Sequence, residues 1–422
     1  MFNIPVSQKF KVDTLFNIVG FGILGISGLG ATSIIGKFYD ASSLGVFNLT
    51  MALFVLFSQL TGAGIHFSVL TSCSKYRGSE NIQETVLNNA FISSVAISLP
   101  FVLLIVLLKE IFSPLFDDRS QVDSIIYIIP ALIFLSFNKI FFAFVNSQEK
   151  MKYLAFMNSL RGISLIAVLF SYVYFQVPGF YLCSIISFSE FILFIVFVAT
   201  NMRHFHLIKN FDLVWIKHHM SYGIKSAVGS FFIDVNTKVD ILLLGYFLSD
   251  RAVGIYSLPA LIMEGFNQLP IVFRTLINPK LTVKNEREGR ESLRQAIIKG
   301  KSLTYKFVIP IGIMVLIAFP IALYLFNFDV GYYEGVVPLI ILMAGTLISV
   351  GYAPFLMLFN QVEMPVTQSL LYILIFMVNL VFNLLFIPIW GITGSAIGTA
   401  ISAISIMVFL KFFARKYLYI RI

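Results

Sequence analysis

The chain has 422 residues, of which 58% are hydrophobic, 12% are charged and 45 are Phe. A water-soluble fold of this composition would leave much apolar surface in water, whereas a bilayer solvates it, so a soluble enzyme or binding module is excluded. The net charge of +9 follows the loop bias that orients membrane proteins, so no nucleic-acid partner is expected.

A membrane-crossing helix needs about 20 mainly apolar residues. Twelve such spans are predicted, near 14–36, 46–71, 85–108, 123–146, 153–174 and 178–200, then 221–247, 253–278, 303–327, 335–360, 366–388 and 391–413. An even number puts both termini on one side. One set of connections holds twenty basic residues: Lys9, Lys11, Lys75, Arg77, Lys150, Lys152, Arg203, Lys209, Lys217, seven between Lys280 and Lys301, Lys411, Arg415, Lys416 and Arg421. The alternate connections hold Lys37, Lys109, Arg119 and Arg251. Basic residues collect in cytoplasmic loops, so both termini are expected to be cytoplasmic.

Lys9 and Lys11 before an apolar run resemble a signal peptide, but cleavage there would upset this alternation, so span 1 is read as retained. It carries Gly20, Gly22, Gly25, Gly28 and Gly30, which suit close helix packing or a helix that bends. Pro130, Pro270, Pro310 and Pro354 allow kinks. Cys73 and Cys183 fall toward opposite faces and cannot pair across a core of about 30 Å. No disulfide, metal site or cofactor is expected.

Residues 36–60 align with 245–269 at a constant offset of 209 and no gap. Seven of 25 positions are identical: Gly36/Gly245, Phe38/Phe247, Gly45/Gly254, Leu49/Leu258, Phe57/Phe266, Gln59/Gln268 and Leu60/Leu269. Spans 7–12 then repeat spans 1–6 in the same orientation, about an axis along the membrane normal. The expected fold is an all-α membrane protein of twelve transmembrane helices in two six-helix lobes, residues 1–200 and 221–422. Residues 201–220, with Lys209, Trp215, Lys217, His218 and His219, read as an amphipathic cytoplasmic linker, its histidines solvated.

Span 7 carries Lys225, Asp234, Lys238 and Asp240. Charges in the bilayer are expensive and normally face a protein interior or wet cavity. Lys139, Arg161, Lys225 and Arg274 lie toward the cytoplasmic side of their spans, and Glu190, Asp234, Lys238 and Glu264 nearer the middle. Converging, the cations would form an inward-opening basic vestibule suited to phosphate oxygens. Snorkelling and interhelical salt bridges are the competing reading. On a regular helix Asp234 and Lys238 share a face and can pair, while Asp240 falls about 200° from Lys238, with Lys225.

No enzyme constellation is present. Gly300, Lys301 and Ser302 look like the end of a phosphate loop, but Gln295 stands where its first glycine belongs. His66 reads as a packed polar residue. The hydrophilic stretch 282–301 is too short for a nucleotide-binding domain, so energy must come from an ion or substrate gradient.

The segment Lys238 to Leu258, KVDILLLGYFLSDRAVGIYSL, resembles the signature of the Wzx-type polysaccharide flippases, within the multidrug/oligosaccharidyl-lipid/polysaccharide exporter superfamily. Asp240, Gly245, Val253, Gly254, Ile255 and Tyr256 carry the match. The resemblance implies alternating access that moves an undecaprenyl diphosphate-linked O-antigen or capsule unit from the cytoplasmic to the periplasmic leaflet of the bacterial inner membrane. It also implies a cationic lumen, a lipid tail left in the bilayer, room for cation coupling (H+ or Na+), and polysaccharide polymerase and chain-length machinery as partners. Lumen charges in this family vary, so the candidates rest on depth alone: Lys139, Arg161, Lys225, Asp234, Lys238 and Arg274 for substrate, Glu190 and Glu264 as coupling or lumen acids. Asp240, Gly245, Gly254 and Tyr256 read as structural. A cation-coupled multidrug antiporter of the same superfamily is the competing function, disfavoured by the excess of lumen cations. A membrane glycosyltransferase or polymerase would carry a large outer loop, and the longest here is about 110–122.

Overall fold

The structure, a computed structural model, describes residues 8–201, 211–274, 289–362 and 364–422. Those residues form helices and turns without a strand. Apolar sequences of this length in hydrocarbon must satisfy their backbone polar groups internally, which a helix does. Among the described residues, eight helices are long and apolar enough to cross a membrane. The expected spans 11 and 12 run together within the longest of these, and the expected spans 1, 7 and 8 are not among the eight. The chain divides into two compact units, 1–39 with 49–231, and 40–48 with 232–422.

The first unit contains α1 (Gln8–Phe38), most of α2 (Ala41–Gly62), then α3 (Ile65–Lys75), α4 (Glu80–Leu108), α5 (Ser124–Ser147), α6 (Met151–Tyr174) and α7 (Ser184–Asn201). It ends on the first part of α8 (Leu213–Asn236). An aromatic core joins α4, α5 and α7: Phe141 stacks on Phe197 at 5.1 Å and meets Phe91 at 4.9 Å. Along α1, Gly20 faces the Ala155 backbone, where a Cβ would stand 2.8 Å from its carbonyl oxygen. Gly162 on α6 approaches Ser27 in the same way. Packing thus accounts for Gly20, whereas Gly22, Gly25 and Gly28 face open space on an unbroken helix.

Span 2 is a broken helix, because Ala63 (φ 39°) and Gly64 (φ 67°) take left-handed backbone between α2 and α3. Gly223 of α8 sits against this break, and a Cβ there would stand 2.5 Å from the Ala63 carbonyl oxygen. Residues 202–210 of the expected linker, with Arg203 and Lys209, lie outside the described residues, as do 275–288. Of the linker's remainder, Lys217 and His218 are exposed, but His219 is fully buried. Its Nδ1 lies 2.9 Å from Ser68 Oγ and its Nε2 3.0 Å from the Val86 carbonyl oxygen. The expectation of solvated histidines is corrected here: α8 begins before them, and its helical turn carries His219 onto α3 and α4.

The second unit contains residues 40–48, the end of α8, α9 (Val239–Phe247), α10 (Asp250–Phe266), α11 (Gly289–Leu325), α12 (Val336–Ser349) and α13 (Pro365–Phe413). Its core gathers Leu293, Ile297, Phe355, Phe359, Leu371 and Phe413. Gly391 (φ 58°, ψ −134°) breaks α13 where the sequence separates its last two spans. Pro130 and Pro310 sit inside continuous helices, and Pro354 in a short 3-10 turn.

Two helix boundaries at the aligned segment keep the 209-residue offset. α1 ends at Phe38 and α9 at Phe247, while α2 starts at Ala41 and α10 at Asp250. Gly45 and Gly254, paired by the alignment, meet inside the second unit. A Cβ on Gly45 would stand 1.8 Å from the Asp250 carbonyl oxygen, and one on Gly254 1.8 Å from that of Ala41.

Candidate functional site

In the first unit the ionic centre is Arg161 of α6 with Glu190 of α7. Arg161 Nη2 donates to Glu190 Oε2 at 3.0 Å. Its Nε stands 2.8 Å from Oε1, a charge contact without the alignment of a hydrogen bond. Asn138 Nδ2 of α5 donates to the same Oε2 at 2.8 Å and to the Glu190 carbonyl oxygen at 2.9 Å. The guanidinium also lies over Phe142, 5.1 Å from the ring centre. Three helices are thereby tied at one buried carboxylate, which meets the cost of placing it among apolar side chains.

Lys139, on the same helix as Asn138, turns elsewhere. Its Nζ donates to the Ser58 carbonyl oxygen at 3.0 Å, in the last turn and a half of α2. The carbonyls there carry the negative end of the helix dipole, so a cation is favoured. Lys225 is exposed on α8. Among the described residues no carboxylate pairs with it.

In the second unit the span that carries the charge cluster is not one helix. α8 stops at Asn236, Lys238 takes non-helical backbone (φ −125°, ψ −5°), and α9 starts at Val239. The helical wheel drawn through Asp234, Lys238 and Asp240 therefore does not hold, because the break resets the rotation. Lys238 Nζ pairs with Glu264 of α10. Asp240 is buried in the first turn of α9, where Oδ1 accepts from the Ile241 N–H at 2.9 Å and Oδ2 from the Tyr256 hydroxyl at 3.0 Å. Asp234 is half-buried near the end of α8. Arg274 is half-buried within electrostatic range of Tyr372 on α13.

Neutral side chains that a search for charges overlooks surround the break. Asn379 Nδ2 donates to the Asn236 carbonyl oxygen and to its Oδ1, both at 3.2 Å. Asn383 Nδ2 donates to Asn379 Oδ1 at 2.8 Å, and Ser395 Oγ donates to Asn383 Oδ1 at 2.9 Å. Two asparagines four residues apart in an otherwise apolar span were the available signal, since unpaired amides are costly in hydrocarbon. This network ties α13 to the end of α8, and Asp240 with Tyr256 ties α9 to α10.

Of the candidate cations, Arg161 and Lys238 are each held by a carboxylate and Lys139 by a helix end. Gly245 is buried on α9 and Gly254 is the close-contact glycine of α10. Among the described residues no group of three His, Cys, Asp or Glu side chains could hold a metal ion.

Against this geometry, the profile of the family described as "Polysaccharide biosynthesis protein" matches residues 18–275. The chain belongs to the polysaccharide biosynthesis protein family. Comparison with curated proteins finds no match by sequence. Among solved structures, this polysaccharide biosynthesis protein is similar to the lipid II flippase MurJ in an inward closed conformation, with a TM-score of 0.79 and 15% identity over 95% of this chain and 87% of that one. It is similar to an inward-facing multidrug resistance MATE family transporter of the MOP superfamily, with a TM-score of 0.74 and 14% identity over 96% and 98% of the two chains. It is also similar to the MATE multidrug transporter DinF-BH, with a TM-score of 0.69 and 15% identity over 99% and 98%. At these identities the likeness is one of fold. The fold is the one these multi-pass membrane proteins share.

Proposed function

We propose that the protein is a flippase for an undecaprenyl diphosphate-linked oligosaccharide, the repeat unit of an O-antigen or capsule, in the bacterial inner membrane. Its membership in the polysaccharide biosynthesis family carries this reading, because a membrane protein of flippase fold without an enzyme constellation contributes to polysaccharide assembly most directly by moving its lipid-linked precursor. The chain crosses the membrane twelve times, in two lobes joined near 201–220, with both termini cytoplasmic. It works by alternating access.

The diphosphate is anionic, and the candidate residues for it are Lys139, Arg161, Lys225, Lys238 and Arg274, with Asp234 beside them. Lys225 and Arg274 have no carboxylate partner among the described residues, so their charge is available to phosphate oxygens. Arg161 and Lys238 first have to leave Glu190 and Glu264. Those two acids are candidates for coupling to H+ or Na+, since a carboxylate released by its cation can take up another. A polymerase and chain-length machinery receive the unit on the outer side.

A deletion strain supplies the test. Loss of surface polysaccharide with accumulation of the lipid-linked unit on the inner leaflet, restored by the wild-type chain, is the expected result. Normal polysaccharide in the deletion strain overturns the proposal. The MATE-like fold favours a second reading, a cation-coupled multidrug antiporter, for which deletion would raise drug sensitivity and leave polysaccharide unchanged.

A further inference from the structure

Tyr352, in the turn between α12 and the short 3-10 segment Ala353–Phe355, is buried to 4% exposure, with two lysines against its ring. Lys301 of α11 donates from Nζ to the Tyr352 hydroxyl oxygen at 2.7 Å and stands 4.3 Å from the ring centre. Lys411, in the last turn of α13, stands 5.2 Å from the same ring centre. The two ammonium groups are therefore no farther apart than the sum of those distances, 9.5 Å. The π face stabilises each cation, but like charges this close repel.

Neither lysine has a carboxylate within ion-pair distance among the described residues. The acid nearest in sequence to Lys301, Glu291, pairs with Arg294. The Tyr352 hydroxyl accepts from Lys301, and no acceptor for its own proton is found among the described residues. Two ammonium groups and one phenolic O–H thus converge from three segments of the second unit, all of them donors. That is the complement of a small polyanion with several acceptor oxygens. The Gly300-Lys301-Ser302 tripeptide lies inside the unbroken α11, so no phosphate loop competes for this role.

The flanks of the cluster say where the anion comes from. α11 exposes Leu303 and Phe307, and α13 exposes Val408 and Phe412, within about two turns of the lysines. Apolar side chains beside paired cations fit a lipid whose acyl chains lie along the helices while its phosphate meets the ammonium groups. We propose that Lys301, Lys411 and Tyr352 form a binding site for the phosphate of an anionic phospholipid. The site fixes the basic ends of α11 and α13 against the headgroup layer. It uses none of the residues assigned to the transported substrate.

The test places the full-length protein in nanodiscs of phosphatidylethanolamine with or without phosphatidylglycerol, and reads retained lipid by native mass spectrometry. Wild type should retain one phosphatidylglycerol in preference to phosphatidylethanolamine. Lys411→Gln, an exposed position where folding is not at stake, should weaken that retention about tenfold. Tyr352→Phe, which keeps the ring, should weaken it by a smaller factor. Lys299→Gln removes the same charge from the exposed opposite face of α11 and should leave retention unchanged. Equal loss in Lys299→Gln and Lys411→Gln, or equal retention of the two lipids, overturns the site. Displacement of the lipid by millimolar inorganic phosphate overturns the lipid source and assigns the donors to a soluble phosphate.

Discussion

Gly45 and Gly254, 209 residues apart, lie against each other's helix so closely that the amide nitrogen of Gly45 is 3.1 Å from where a Gly254 Cβ would stand. Each helix start occupies the space a side chain on the other would need. The contact partners, Asp250 for Gly45 and Ala41 for Gly254, are themselves related by the same offset. Only residues without a Cβ permit this crossing. Gly45→Val or Gly254→Val should therefore each destabilise the protein by roughly 1–3 kcal/mol, the usual cost of overpacking. The double variant should cost less than the two singles together, because the first substitution already parts the helices. Thermal unfolding in detergent measures both; strictly additive losses would mean that the crossing is not shared.

Tyr256 and Asp240 were matched to a family signature, and their geometry is that of a structural bond. Tyr256→Phe removes the donor to a buried carboxylate oxygen and should cost about 1–3 kcal/mol. The loss should appear as a lower unfolding midpoint with the family's function retained in whatever protein folds. Full stability in that variant would show that Asp240 Oδ2 has another donor.

Arg161 and Glu190 should behave as one unit. Arg161→Ala leaves Glu190 buried beside Asn138 without its cation, a loss on the order of 3–5 kcal/mol. Adding Glu190→Gln should restore much of that stability, since the uncompensated charge is gone. Protein abundance in membranes separates this from a transport role: recovered abundance without recovered polysaccharide would mark Arg161 as a substrate contact.

Lys225 and Arg274 should show the opposite pattern. Neither has a carboxylate partner among the described residues, so Lys225→Ala and Arg274→Ala should leave membrane abundance within a factor of about two, as expected for substitutions worth less than 0.5 kcal/mol. If they receive the diphosphate, surface polysaccharide in the complemented deletion strain should fall in each and be abolished in the double variant. Wild-type polysaccharide in the double variant would remove both from the site.

Composition and hydropathy by themselves determined that this is a helical membrane protein, because hydrocarbon leaves a long apolar chain few other backbone solutions. The Lys238 to Leu258 segment was enough to indicate a polysaccharide-related membrane family, and in the structure Asp240, Gly254 and Tyr256 are held in place by packing and a hydrogen bond. What the sequence could not determine was which charges meet. The rotation between Asp234 and Lys238 depends on the break at Thr237 and Lys238, and a helical period read through that point assigns the wrong faces. Lys238 finds Glu264, Arg161 finds Glu190 and Lys139 finds a helix end because packing brings distant segments together, and depth within a span carries no information about neighbours. His219 and Asn379 were missed for the same reason. Their hydrogen bonds to Ser68, Val86 and Asn236 reach residues far away in the chain, and only the tertiary structure sets those distances.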